Sequence, residues 1–382
     1  MDPARAPRLL EGLLRKEIHL WIGAWLKDAP RRKALRERTF SGPRHLIFAT
    51  CDHYEPLHGK PSHETGRARV QRWRTDYPKL AKDLRDANGR PPRHSFFFPG
   101  EEYHREFLEP LRELVELGYG EAEVHLHHDR DTRESVREKF VETLELLARH
   151  DLVVREGEGY RWAFIHGNWS LANGRRDGMH CGVDDELELL YELGCYADFT
   201  FPSAPDDECQ PAILNSIYYP DGDLSKKRAY EHGTAAKVGD AKRERVLLIE
   251  GPLAMSLRRA KNPFRVESAS LQASDPPTKK RLDTWIEQGV SVRGREEWVF
   301  VKVHTHGAPE KNADVLLGDP ARRFHEDLLR HYNDGTRWQT HYVTAREMFN
   351  VARAAMDGKD GSPAAYFDYE IPRSPASARA PR

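Results

Sequence analysis

The sequence predicts an α/β protein: a distorted seven- or eight-stranded β/α barrel preceded by an N-terminal amphipathic helix. Three observations point there. From Arg44 onward, short β-branched or aromatic runs alternate with longer segments of helical period, as when parallel strands are joined by crossover helices. The 382 residues suffice for one large core, and an α/β barrel of that size can remain a single domain. Ionisable residues gather where the apolar runs end, which is where a parallel barrel builds its site.

Residues 1–40 read as a helical extension, 41–357 as the barrel, and 358–382 as a tail. Within the extension, Leu10, Leu14, Ile18, Trp21, Ile22 and Trp25 recur at spacings of three and four, an amphipathic helix over 9–26. It can pack across the barrel, bind a partner, or lie at a membrane interface with Trp21 and Trp25 as anchors. Strands are expected at 45–50, 94–98, 122–128, 161–166, 197–201, 245–250, 298–305 and 339–343. Helices are expected at 64–86, 105–117, 133–150, 184–193, 277–288, 321–332 and 345–355. Thr132 and Thr344 cap two of them, with Ser135 and Glu347 three residues on. Residues 202–242, rich in Pro, Gly, Asp and Tyr, read as an extended loop over the barrel mouth that brings Tyr218 or Tyr219 to a ligand. The Pro, Ser, Ala and Arg tail at 372–382 is too poor in apolar residues to offset its ordering entropy and is expected to be disordered.

Charge and cysteine usage narrow the function. Lys and Arg number 60 against 61 Asp and Glu, a formal charge of −1, so no global field attracts nucleic acid or an anionic membrane. Cys51, Cys181, Cys195 and Cys209 form no CxxC pair, which fits a reducing cytoplasm. No apolar run reaches the roughly 18–20 residues of a bilayer span, and no export signal is visible at the start. GxSxG, Walker and dinucleotide fingerprints are absent too.

The chemistry-bearing residues follow the strands. After the first come Asp52, His53 and Glu55; after the third, His125, His127, His128, Asp129 and Asp131; after the fourth, His166 and Asn168. After the fifth come Asp206 and Asp207, and after the seventh His304 and His306. Strand alternation turns Glu123, His125 and His127 inward and Val124 and Leu126 toward the helices. Inward imidazoles followed by carboxylates suit a divalent metal, foremost Zn²⁺. Asp52 is a candidate ligand or general base. His304 or His306 can protonate a leaving group. Glu55, His166, Asn168, Trp169, Asp206 and Asp207 are candidate substrate contacts, with Trp169 to stack on a sugar ring.

These motifs resemble the polysaccharide deacetylase superfamily over roughly residues 44–351, as a divergent member. Its first motif pairs a catalytic Asp with a metal-binding Asp; here T-C-D-H puts Asp52 at the first position and His53 at the second. Its second motif has two metal-binding His four residues apart after a strand with Glu; here Glu123 and His127 fit and Asp131 replaces the second His. The resemblance implies His53, His127 and Asp131 as ligands and His304 or His306 as general acid. It also implies an N- or O-acylated glycan or glycan precursor as substrate. The family's arginine-proline motif has no counterpart at 166–168. Alternatives are a glycoside or other C–N hydrolase on the same barrel, or a noncatalytic glycan-binding or assembly protein.

Overall fold

The computed structural model describes residues 17–203, 210–257 and 264–381. Two short helices, α1 (Ile18–Lys27) and α2 (Ala29–Glu37), lead into β1 (Arg44–His53). Then follow α3 (His63–Ala81), β2 (His94–Pro99), α4 (Arg105–Glu116), β3 (Gly120–Leu126), α5 (Arg133–Arg149), β4 (Val154–Glu156) and β5 (Gly159–His166). The middle of the chain carries α6 (Glu186–Glu192), β6 (Cys195–Asp198), β7 (Ile217–Pro220), β8 (Gly233–Ala235) and β9 (Leu247–Ile249). A small pair, β10 (Ala254–Leu257) and β11 (Phe264–Glu267), stands apart from the main sheet, to which β12 (Ser270–Leu271) belongs. The last part holds α7 (Lys279–Glu287), β13 (Trp298–Thr305), α8 (Glu310–Leu316), α9 (Asp319–Tyr332), β14 (Trp338–Tyr342), α10 (Ala345–Met356) and α11 (Pro375–Ala378). Each of the eight expected strands and seven expected helices overlaps one of these.

The fold is mixed α/β around a mostly parallel sheet of order β12-β13-β1-β2-β3-β5-β6-β9-β7-β8, with β14 also on β1 and β4 on β5. The strands from β13 through β9 run parallel, and β7 and β8 add antiparallel partners. The sheet curls until Lys237, beyond β8, makes a parallel bridge to Arg293, ahead of β13. Among the described residues no ladder joins β8 to β12.

Two cores flank the sheet. Leu46, Phe48, Val124, Leu126, Phe164, Val301 and Val303 face the outer helices. Ile47, Ala49, Cys51, Phe97, Ala163, Ile165, Leu247 and Phe300 face inward onto α10, every residue of which is buried. Both Thr132 and Thr344 close reciprocal capping boxes, with Ser135 and Glu347.

Two expectations change, and one of the alternatives for the N-terminal helix is selected. Residues 202–242 are not an uninterrupted loop: β7 and β8 extend the sheet, and Tyr218 and Tyr219 are buried in the two cores rather than offered to a ligand. Aromatic and β-branched residues at Ile217–Tyr219 outweigh the turn formers around them. The tail is ordered through Pro381, by polar anchoring more than apolar burial: Ser377 Oγ donates to the buried Glu121 carboxylate at 2.6 Å, and the Ala376 amide donates to Asp151 O. The N-terminal helix packs on the body, with Trp21 fully buried beside Leu253 and Trp25 donating to Gln288 Oε1. Leu10 and Leu14 lie outside the described residues. No described helix is long and apolar enough to cross a membrane.

Candidate metal centre

Parallel pairing brings the strand ends to one edge: His53 is opposite Phe97, Pro99 opposite His125, Leu126 opposite His166, and Asp52 opposite Thr305. Alternation then decides which side chains meet. On β1 the odd residues Ile47, Ala49 and Cys51 face inward, so His53 does too and Asp52 faces outward. Asp52 accepts the Gly307 amide at 2.6 Å and pairs with His94 Nε2 at 2.9 Å, while Trp73 donates to Gly307 O. It therefore anchors the turn after β13, away from the inward ligands, and the expected role as base or ligand has no geometric support. Gly307 must be glycine here, since a Cβ would sit 2.2 Å from Asp52 Oδ2.

The inward residues converge on Glu55, which is 2% exposed. Its Oε1 lies 3.0 Å from His127 Nε2 and 3.3 Å from His125 Nε2; its Oε2 lies 2.7 Å from His306 Nδ1 and 2.8 Å from His58 Nδ1. Arg69 of α3 fixes the loop that carries Glu55 by donating to Pro56 O and His58 O. His125 Nδ1 lies 2.9 Å from Ile165 O, and His127 Nδ1 lies 2.6 Å from Glu101 Oε1, which also accepts the His127 amide. Both imidazoles thus have one nitrogen occupied and the other aimed at Glu55. A Cβ at Gly167 would stand 2.5 Å from the His127 ring, so the bare backbone there lets β5 pass behind it.

His53 completes the cluster. It is fully buried, both of its ring nitrogens lack hydrogen-bond partners among the described residues, and its ring lies 4.7 Å from His125 and 4.6 Å from both His306 and Trp169. Trp169, half-buried at positive φ, covers the cluster and also meets His304 edge-on at 5.2 Å. His304 is itself buried, with Nδ1 unpartnered among the described residues. Around Glu55, two groups have ligand atoms close enough to hold an ion: Glu55, His125 and His127, and His53, Glu55 and His306.

Burial would raise the Glu55 pKa, but hydrogen bonds from His125, His127, His306 and His58 outweigh it and hold the carboxyl far below the usual range. For His127, burial is outweighed by Glu101 and Glu55, and its pKa is pushed up to about 10. Burial keeps His125 below its ordinary value, and drives His53 and His304 well below theirs. Glu55 is therefore held anionic beside a cationic His127, while burial disfavours a charge on His53 and His125.

Other expected site residues lie elsewhere. Asp131 is held by Lys139 and Ser135 and approaches His128 rather than His127, because its loop folds to the outer face. His166 alternates outward from Ile165 and belongs to the same outer group. Asn168 is half-buried, and its amide meets His166 Nδ1 at 3.2 Å. Asp206 and Asp207 lie outside the described residues. The sequence reading missed Glu101 and His58, and took Glu55 for a substrate contact. Glu101 sits in the turn after β2, where parallel pairing to His125 was its only signal.

A scan of protein-family models finds none that matches the chain, and a search of curated proteins finds no match. The class defined here is accordingly an α/β protein with a histidine-carboxylate cluster at the C-terminal edge of its parallel strands.

Proposed function

We propose that the chain is a metal-dependent hydrolase on a β/α barrel, with Glu55, His125 and His127 as metal ligands and His53 beside them. One observation carries this. His125 and His127 each engage Nδ1 with a carbonyl or carboxylate and direct Nε2 to the same Glu55 oxygen, the outer partnering that metal-binding histidines use. Two ligands each ~2.0–2.1 Å from a tetrahedral ion stand roughly 3.3 Å apart, and the two Nε2 atoms lie 3.3 and 3.0 Å from Glu55 Oε1. The His53 nitrogens, unpartnered among the described residues, group instead with Glu55 and His306 on the other side of that carboxylate.

The resemblance to polysaccharide deacetylases supports an acylated glycan as substrate and Zn²⁺ as metal. When bound, such an ion polarises an acyl carbonyl and lowers the pKa of a coordinated water. The side chains supply the rest. His306 is held through Nδ1 by Glu55 and is 30% exposed, so its Nε2 faces where a leaving amine or alkoxide would be protonated. Trp169 offers a ring face to a sugar. The buried unpaired thiols Cys51, Cys181 and Cys195 support a cytoplasmic location.

The experiment is metal analysis with hydrolysis of acetylated oligosaccharides. Purified protein should carry zinc and release acetate, and Glu55→Gln should lose both that ion and turnover. Turnover that survives complete metal removal would reject the reading.

A further inference from the structure

A second group lies on the opposite face of the sheet, joining two loops to α6. We infer that His128, His166, Cys181 and Glu186 are the four ligands of a second, structural metal ion of the Zn²⁺ class. Their ligand atoms all lie within 4.8 Å of one another and all four residues are buried. His128 Nε2 lies 3.0 Å, and His166 Nε2 3.8 Å, from Glu186 Oε1; Cys181 Sγ lies 3.5 Å from Glu186 Oε2. These separations bracket the roughly 3.3–3.8 Å between neighbouring nitrogen, oxygen and sulfur ligands of a tetrahedral zinc. Two imidazoles, a thiol and a carboxylate are an ordinary borderline-soft ligand set.

The independent observation is His166. Its ring is completely buried, and Nε2 points into the group without a hydrogen-bond partner among the described residues. Since its Nδ1 receives the Asn168 amide, the neutral ring carries its proton on Nε2, 3.8 Å from Glu186 Oε1 and beyond hydrogen-bond reach of it. A buried donor left so is destabilising, and an ion could take that proton's place on Nε2. The 3.2 Å contact with Asn168 is what such a shift to Nδ1 gives up.

The surroundings are those of a ligand shell. Asp131 Oδ2 stands 3.3 Å from His128 Nδ1, close to that nitrogen though not in hydrogen-bond geometry, and Lys139 and Ser135 hold the carboxylate. The Asn173 amide donates to Cys181 Sγ and the Ala172 amide to Glu186 Oε2. Four protein ligands without an open position mark a structural ion rather than a catalytic one. It would tie residues 127–131 and 166–186, which flank His127 and carry Trp169, to the body. Sequence spacing hides the group because its members come from the loop after β3, the end of β5, an irregular loop and α6.

Cobalt reports the thiolate. Full-length protein stripped of metal and titrated with Co²⁺ should show a sulfur-to-cobalt charge-transfer band. Cys181→Ser should lose the band and one equivalent of zinc per chain, and Glu186→Gln should weaken zinc binding at least tenfold. Glu55→Gln should keep the band, so failure of the inner centre and failure of this one read differently. Absence of the band from the wild-type protein would overturn the inference even if Cys181→Ser did not fold. A folded Cys181→Ser protein with undiminished zinc would overturn it as well.

Discussion

Glu101 Oε1 stands 2.6 Å from His127 Nδ1, and the opposite nitrogen of that ring stands 3.0 Å from Glu55 Oε1. The turn after β2 thereby sets the orientation of an imidazole at the end of β3. Loss of an orienting carboxylate typically costs 10–100-fold in metal affinity. Glu101→Gln should weaken zinc binding by about that factor while saturating zinc still restores one inner equivalent. Competition against a chromophoric chelator measures it; unchanged affinity would remove Glu101 from the centre.

His127 and Asp131 separate the sequence pattern from the geometry. If the His-x₃-Asp spacing set the ligands, both substitutions would empty the same site. In the structure Asp131 approaches His128 on the outer face and His127 meets Glu55 on the inner one. His127→Ala should therefore lose the inner equivalent and keep the cobalt-thiolate band. Asp131→Asn should keep the inner equivalent and weaken only the thiolate-bearing site. Loss of the inner ion from Asp131→Asn would restore the motif reading.

The parallel strands and outer helices were legible because period-2 and period-3.6 patterns survive in local sequence. The inward placement of His125 and His127 followed from the same alternation. Applied to β1, that rule would have separated Asp52 from His53, since adjacent residues of a strand face opposite sides. Resemblance to a motif in which both act took precedence over it. The central place of Glu55 was not legible, because a loop after the strand turns it back to four histidines from two other segments and its own. Docking of the tail was hidden too, since Ser377 gains its partner only when Glu121 is buried beneath it.

His45 and His341 face each other at the foot of β1 and β14, with His45 Nδ1 2.9 Å from His341 Nε2 and Asn88 Nδ2 2.7 Å from His341 Nδ1. Asn88 donates, so His341 keeps its proton on Nε2 and gives it to His45; both rings are neutral. Burial lowers their pKa values to about 4 and about 3. The unfolded chain then binds more protons than the folded one below pH ~6.5. The stability these neutral rings contribute is present above that pH and is lost as pH falls through the folded values. Each proton adds a slope of about 1.4 kcal/mol per pH unit. His341→Gln should make denaturation midpoints less steep between pH 6.5 and 4 than in the wild type. Parallel curves would show that the pair titrates normally.

The last prediction concerns which late histidine handles the proton. His304 and His306 share a face, but their surroundings differ. His304 is buried against Trp169, and burial drives its pKa well down, which disfavours the imidazolium a general acid needs. His306 is 30% exposed, and its Nδ1 lies 2.7 Å from Glu55 Oε2, which leaves Nε2 to meet a leaving group. His306 also lies within ligand distance of His53 and Glu55, so metal content must be read with turnover. As general acid, His306→Gln should lower kcat by about 10²–10⁴-fold with the inner ion retained. As ligand, the same substitution would remove the ion along with activity. His304→Gln should leave kcat within a few-fold, because that ring shapes the wall under Trp169; a comparable fall in kcat for His304→Gln alone would transfer the acid role to it.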